Sequence, residues 1–229
     1  MEITWRKSWI SYYESPISIM DKICYANQIT AYEFSNKFSS HEDINHSFIL
    51  GNNVDYQKLE GVLGEQILSN FHLNIKSLCH CFFNGEKHPE SYLCRDLFLC
   101  NSCSLLGYHS LLFQSKFIIE CPFHQTPLTN RCRKCDVKLM YSFRKNHTIS
   151  QCCRNCAEPF LYHMGVYPNY PKFSENHIQT AVLLDWFNLD EQQKLSLSHI
   201  VFSKPQTKSD LSFILYSVNE SVKNRGKII

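Results

Sequence analysis

The sequence predicts a mainly α-helical chain with a small amount of β structure near its middle. Three observations carry this reading. Apolar residues recur at helical spacing towards both ends, and side-chain capping signals precede those stretches. Between residues 94 and 162, cysteines, prolines and aromatics replace the periodicity. Three regions are therefore expected: a helical one over 1–90, a cysteine-rich one over 91–163 and a second helical one over 164–229.

In the first region, Ser15 caps a helix that has Pro16 at its first position, with Ile17, Met20, Ile23 and Cys24 on one face. Asn27-Gln28 breaks the pattern. Thr30 and Glu33 then form a capping box, with Ile29 and Phe34 as its hydrophobic staple. Two short helices joined by about three residues have the minimal geometry of a helix-turn-helix. Asp55 caps another helix with the stripe Leu59, Val62, Leu63 and Ile67, and Val54 and Leu59 as its staple. Ile75, Leu78, Cys79 and Phe82 mark a further short one.

In the middle region, Lys116-Phe117-Ile118-Ile119 and Lys138-Leu139-Met140-Tyr141 read as short strands. Residues 165–173, rich in Pro and Tyr, read as a linker. Beyond it, Ile178, Ala181, Val182 and Trp186 mark one helix, and Asp190 with Gln193 caps a second. Leu211, Ile214, Leu215, Val218 and Val222 mark a third that ends near Gly226, with Lys223 and Arg225 in its last turn.

Composition narrows the function classes. The 229 residues are 44% hydrophobic and 19% charged, enough apolar material for a packed core. A net charge of +2 sets up no global field for a polyanion, so any such contact rests on local patches. No signal peptide and no membrane-spanning stretch is read, which gives a cytoplasmic expectation with reduced thiols. Of the twelve cysteines, all but Cys24 fall between Cys79 and Cys156, a clustering that favours metal over disulfides.

The spacing of these cysteines is specific. Cys100 and Cys103 form a C-x2-C knuckle, and Cys121 and His124 a C-x2-H knuckle after seventeen intervening residues. Cys132 and Cys135 open a second unit, which Cys153 and Cys156 close after another seventeen. A tight turn presents two ligands to one ion, and two such turns complete a tetrahedral zinc site. The expectation is two Zn2+ per chain in tandem zinc-ribbon-like units. One histidine in a quartet argues against a four-cysteine iron–sulfur cluster, and four matched knuckles argue against redox thiols. Cys152 competes with Cys153 as a ligand. The knuckles can pair sequentially or interleave, and the matched gaps favour the sequential order.

The basic residues of this region gather in its second unit, at Arg131, Arg133, Lys134, Lys138, Arg144, Lys145 and Arg154, a face suited to phosphate contact. Catalytic signatures are missing. There is no G-x-S-x-G, P-loop or H-E-x-x-H, and only nine residues separate Glu90 of His88-Pro89-Glu90 from Cys100, too few for the deaminase pattern. No enzyme is expected.

The order of motifs from Leu99 to Tyr141 resembles the TniQ family, the zinc-containing target-selection proteins of transposons driven by AAA+ ATPases. The matching residues are Cys100 and Cys103, Gly107-Tyr108-His109-Ser110, Gln114, Cys121-Pro122-Phe123-His124, Pro127-Leu128, and Cys132 and Cys135. Glu14-Ser15-Pro16-Ile17-Ser18 and Glu33-Phe34 are also similar, so the likeness runs from about residue 9 to 163. Family knuckles often read C-P-x-C, whereas Asn101 and Arg133 stand at that place here.

The resemblance implies a non-enzymatic adaptor for DNA transposition, with an N-terminal helix-turn-helix region followed by zinc units. Such an adaptor binds DNA or an RNA-guided nucleoprotein complex and recruits an AAA+ ATPase regulator. A second copy of the chain is a further expected partner, and a membrane is not. Tyr32, Glu33, Asn36 and Lys37 would present the second helix to DNA or a partner, and His109 would buttress the zinc fold by hydrogen bonding. Two other readings compete: a zinc-dependent DNA-binding regulator, and a metal-dependent nuclease using His80 or His147.

Overall fold

The computed structural model describes residues 3–38, 55–64, 93–94, 96–140, 151–197 and 211–225, and these are mainly helical. Their helices are α1 (Pro16–Asn27), α2 (Ala31–Phe38), α3 (Tyr56–Leu63), α4 (Asn101–Leu105), α5 (Ala181–Phe187), α6 (Glu191–Leu197) and α7 (Leu211–Arg225). Short 3-10 turns occupy Lys7–Trp9, Leu111–Gln114 and Glu175–His177. Residues 116–119 and the described part of the 138–141 run form no strand. The β component is a set of isolated antiparallel bridges, Arg131 with Lys138 among them.

The capping chemistry sets the helix boundaries. Ser18 N–H donates to Ser15 Oγ at 3.3 Å, with Pro16 at the first position. Gln28 ends α1 in the left-handed region at φ 52°. Thr30 N–H donates to Glu33 Oε2 at 2.7 Å and Glu33 N–H to Thr30 Oγ1 at 3.2 Å, which closes the box before α2. Asp55 caps α3 through Lys58 N–H, and Asp190 and Gln193 exchange hydrogen bonds at the start of α6. On α3, Leu59 and Leu63 are buried but Val62 is exposed. Val54, Ile67, Gly226 and the helix read near residues 75–82 lie outside the described residues.

Two apolar clusters form the core. One packs Ile17, Met20 and Ile23 of α1 against Phe34, Phe38, Leu59 and Leu63, and continues to Leu97, Leu99, Leu139 and Phe160. The other gathers Tyr13, Tyr108, Leu112, Phe113 and Phe123 with Phe173, Trp186, Ile214 and Val218. Each draws on residues from before 90 and from the cysteine-rich stretch. Tyr13 stacks on Phe187 of α5 at 5.6 Å.

α1 differs from its sequence reading. It is buried all round from Pro16 to Cys24, including Ser18, Asp21 and Lys22. Polar groups survive there because each has a partner. Lys22 Nζ lies 2.5 Å from Glu14 Oε1 and donates to the Trp9 carbonyl at 2.6 Å. Ser18 Oγ donates to Glu14 Oε1, and Asp21 meets His163 Nε2 at 3.0 Å. Burial pushes the Lys22 ammonium below its ordinary value, partly offset by Glu14.

These partners explain a second difference. Residues 165–173 are no linker: Tyr170 and Phe173 are buried, Tyr170 OH bonds His163 Nδ1 at 2.9 Å, and Trp9 Nε1 donates to the Pro168 carbonyl at 2.7 Å. The Tyr167 and Tyr170 rings lie against Tyr25 and Lys22 of α1, and Phe173 packs on Tyr108 and Phe123. Among the described residues no helix is long and apolar enough to cross a membrane.

Candidate metal centres

Three of the four knuckles share one backbone design. Gln125, Asp136 and Ala157, each directly after a knuckle's second ligand, take positive φ of 50°, 57° and 58°. Each donates its N–H to the carbonyl of the first ligand, at 2.9, 2.9 and 3.0 Å. The first ligand's own N–H donates onward, from Cys121 to Thr126, from Cys132 to Val137 and from Cys153 to Glu158. A bridge closes each loop: Glu120 with Pro127, Arg131 with Lys138, Cys152 with Pro159.

Amides two residues past a ligand turn towards sulfur, Phe123 to Cys121, Val137 to Cys135 and Glu158 to Cys156. The Cys100–Cys103 knuckle is built differently, with Cys100 as N-cap of α4 and Cys103 within its first turn.

The knuckles pair in sequence order. Cys100, Cys103, Cys121 and His124 form one quartet, and Cys132, Cys135, Cys153 and Cys156 the other, with ligand atoms within 4.8 Å of one another. Cys153 takes the ligand position, while Cys152 sits in the bridge to Pro159 and is buried.

The Sγ–Sγ separations are 3.7 Å for Cys103–Cys121, 3.6 Å for Cys132–Cys156 and 3.5 Å for Cys135–Cys153. Tetrahedral zinc with bonds of about 2.3 Å sets sulfurs about 3.8 Å apart, whereas a disulfide needs about 2.05 Å. His124 turns Nδ1 inward, 3.6, 3.2 and 3.5 Å from the sulfurs of Cys100, Cys103 and Cys121. Each quartet can therefore hold one metal ion, and the donor set of seven thiols and one imidazole suits zinc.

The two quartets differ in exposure. Cys100, Cys103 and Cys121 are buried, and Thr126 Oγ1 lies 3.5 Å from Cys100 Sγ. In the second quartet Cys135 and Cys156 reach the surface. The crowded thiols bind protons unequally. Burial pushes Cys103 up, and a hydrogen bond with Cys100 raises Cys121 to about 12. The Asn155 side chain, followed by the Val137 amide, lowers Cys135 to about 6. A divalent cation would replace the shared protons and bind all four ligands at once.

Sequence reasoning missed the Thr126 and Asn155 contacts and the three left-handed residues. None of the three is glycine, and only Asp136 is of a type that takes this conformation readily, so the sequence carried little signal for it.

His109 and Gln114 support the first centre from behind. His109 Nδ1 bonds Ser15 Oγ at 2.6 Å, and His109 Nε2 and Gln114 Nε2 both reach the carbonyl of Phe98, two residues before Cys100. The imidazole, buried and occupied at both nitrogens, has a structural place.

The basic face is largely engaged. Arg131 meets Asp136 at 3.0 Å, and Lys138 meets Asp96 at 3.0 Å. Arg133 meets Glu158 at 3.4 Å and stacks over Tyr162 at 3.8 Å, and Lys134 lies 3.9 Å from Glu158. Arg131, Lys134 and Lys138 stay more than half exposed, so a phosphate would compete for them with the carboxylates of Asp136, Glu158 and Asp96. On α2, Tyr32, Glu33 and Asn36 face outward while Phe34 and Phe38 face the core, and Lys37 is half-buried with Nζ 5.7 Å from the Phe38 ring. Arg144, Lys145, His80, His88, Glu90 and His147 lie outside the described residues.

Comparison of the chain with protein-family models, with curated proteins and with solved structures finds no match.

Proposed function

We propose that this chain is a zinc-stapled, non-enzymatic adaptor for transposition target selection, which docks on DNA or a nucleoprotein complex and recruits an AAA+ ATPase. One observation carries the reading. The two motifs that resemble the TniQ family, Glu14-Ser15-Pro16-Ile17-Ser18 and Gly107-Tyr108-His109-Ser110, are far apart in sequence yet interlock in space.

Ser15 N–H donates to the His109 carbonyl at 2.9 Å and His109 N–H to Ser18 Oγ at 3.2 Å. Glu14 bridges Ser110, and Leu111 N–H donates to the Tyr13 carbonyl at 2.9 Å. The likeness thus consists of one cooperating unit, which ties the N-terminal helices to the first metal centre. Chance matches scattered along a chain have no reason to meet.

In this reading α1 and α2 act as a helix-turn-helix, with Tyr32, Asn36 and Lys37 on the docking helix. The exposed cations Arg131 and Lys134 add sequence-independent attraction to phosphate. The engaged state of that basic face favours docking on a nucleoprotein partner over unaided grip on bare duplex.

The test is affinity capture of the full chain from its native host, with mass spectrometry of what is retained. An AAA+ ATPase that stays bound in the presence of nuclease supports the proposal. Clean capture without any AAA+ ATPase refutes it, and salt-dependent sequence-selective DNA binding by a chain that retains no ATPase favours a DNA-binding regulator instead.

A further inference from the structure

The Cys100–Cys103 knuckle is held on both sides by the unit that carries the second metal centre. Leu99, directly before Cys100, exchanges two backbone hydrogen bonds with Thr129, at 2.8 and 2.9 Å. Thr129 leads through Asn130, whose carbonyl accepts from Leu139 N–H at 2.7 Å, into the Cys132–Cys135 knuckle.

Ser104, directly after Cys103, makes the other pair. Its Oγ donates to the Phe160 carbonyl, and its own carbonyl accepts from Tyr162 N–H at 2.9 Å. Phe160 and Tyr162 follow the Cys153–Cys156 knuckle by four and six residues. Arg133, inside the second centre, clamps the same segment through the Pro159 carbonyl at 3.1 Å and the Tyr162 ring. One apolar cluster holds Leu99, Cys132, Leu139, Cys153 and Phe160 together.

We infer that the two metal centres are thermodynamically coupled: filling the second fixes the two segments that grip the first knuckle, so each metal tightens the other. The observations specify the direction. The first centre's lone helical knuckle has no closing bridge of its own, and its flanks are set by Thr129, Phe160 and Tyr162. Ordering those flanks is part of the cost of closing the first centre, and a filled second centre has already met it. The inference rests on zinc being the ligand of both quartets, and it adds that the sites do not fill independently.

The test uses cobalt as a spectroscopic probe on the full chain, titrated against a competing chelator. Thiolate-to-cobalt absorption separates the four-thiolate centre from the three-thiolate, one-imidazole centre. Cys135→Ser with Cys156→Ser removes the second centre, and His124→Ala with Cys121→Ser removes the first. The expected result is a loss of affinity at the surviving centre of about fivefold or more, by the same factor in both directions, because linkage is reciprocal. Unchanged affinity at both surviving centres overturns the inference.

Ser104→Ala keeps all eight ligands and guards against a ligand variant that fails to fold. It weakens metal binding severalfold if the frame transmits the coupling, and leaves both affinities unchanged if it does not. Wild-type chain that takes up no metal refutes the zinc reading itself, whereas two metals bound independently refute only the coupling.

Discussion

Gly107→Ala is the most informative single substitution in this fold. Gly107 has φ +65°, a conformation that costs an L-residue about 1–2 kcal/mol. Its position is also walled in. A Cβ there would stand 2.9 Å from His163 Nδ1, 3.0 Å from the Tyr162 carbonyl and 3.0 Å from Tyr170 Cε1.

None of these neighbours yields easily. The carbonyl is backbone, His163 is fixed by Asp21 and Tyr170, and Tyr170 packs edge-on to Trp9 at 5.7 Å. Forcing a methyl into such a site adds roughly 1–3 kcal/mol. The expected loss is therefore about 2–5 kcal/mol, large for one methyl group.

Gly61→Ala is the control. Gly61 lies within α3 with no positive φ, and nothing lies within 4 Å of where its Cβ would stand, so alanine there stabilises by up to about 1 kcal/mol. Chemical denaturation of both variants at fixed free zinc measures the difference. A Gly107→Ala variant within about 1 kcal/mol of wild type would show that the close packing of the Gly107 turn against residues 162–170 is wrong.

Three further perturbations probe separate parts of the molecule. Lys22→Met strands the buried Glu14 carboxylate and should cost about 3–5 kcal/mol by denaturation, while adding Glu14→Gln to it should recover part of that loss. Ala157→Gly relieves a left-handed alanine at the exposed end of the last knuckle and should stabilise the metal-loaded chain by about 0.5–1 kcal/mol; destabilisation would mean that the loop has another conformation. The Thr30 amide, and next its hydroxyl, hold the Glu33 carboxyl below the ordinary glutamate range. Its contribution is therefore complete above that range and is lost only as pH falls through the lowered value. A carbon-13 titration should place the Glu33 midpoint below that of an exposed glutamate, and Thr30→Val should raise it.

The sequence made the caps and the ligands legible because both are local. Ser15, the Thr30–Glu33 box, Asp55 and Asp190 act within three residues of themselves, and two residues separate the ligands of each knuckle. Matched gaps also favoured the sequential pairing seen in the two quartets.

What the sequence concealed is long-range. The apolar stripe of α1 announced one buried face and left its polar residues unplaced, because nothing near Lys22 or Asp21 announces partners such as His163, which lies 142 residues on from Asp21. The Pro- and Tyr-rich stretch at 165–173 read as a linker for the same reason: its rings find Trp9, His163 and Tyr108 only in the folded chain. The apparent strands at 116–119 and 138–141 have β-like composition, but among the described residues the chain there makes only single bridges, at Ser115, Glu120 and Lys138. Gln114 shows the intermediate case. It was part of a recognisable motif, yet its role beside His109 at the Phe98 carbonyl emerges only in three dimensions.

The measurement that tests the central claim most directly is native mass spectrometry of the full chain purified without chelator. Two metal-stapled quartets predict two zinc ions per chain with no disulfide among the eight ligands, and one zinc after removal of either His124 or Cys156. Zinc-free chain, iron in place of zinc, or disulfide-linked knuckles would contradict that claim.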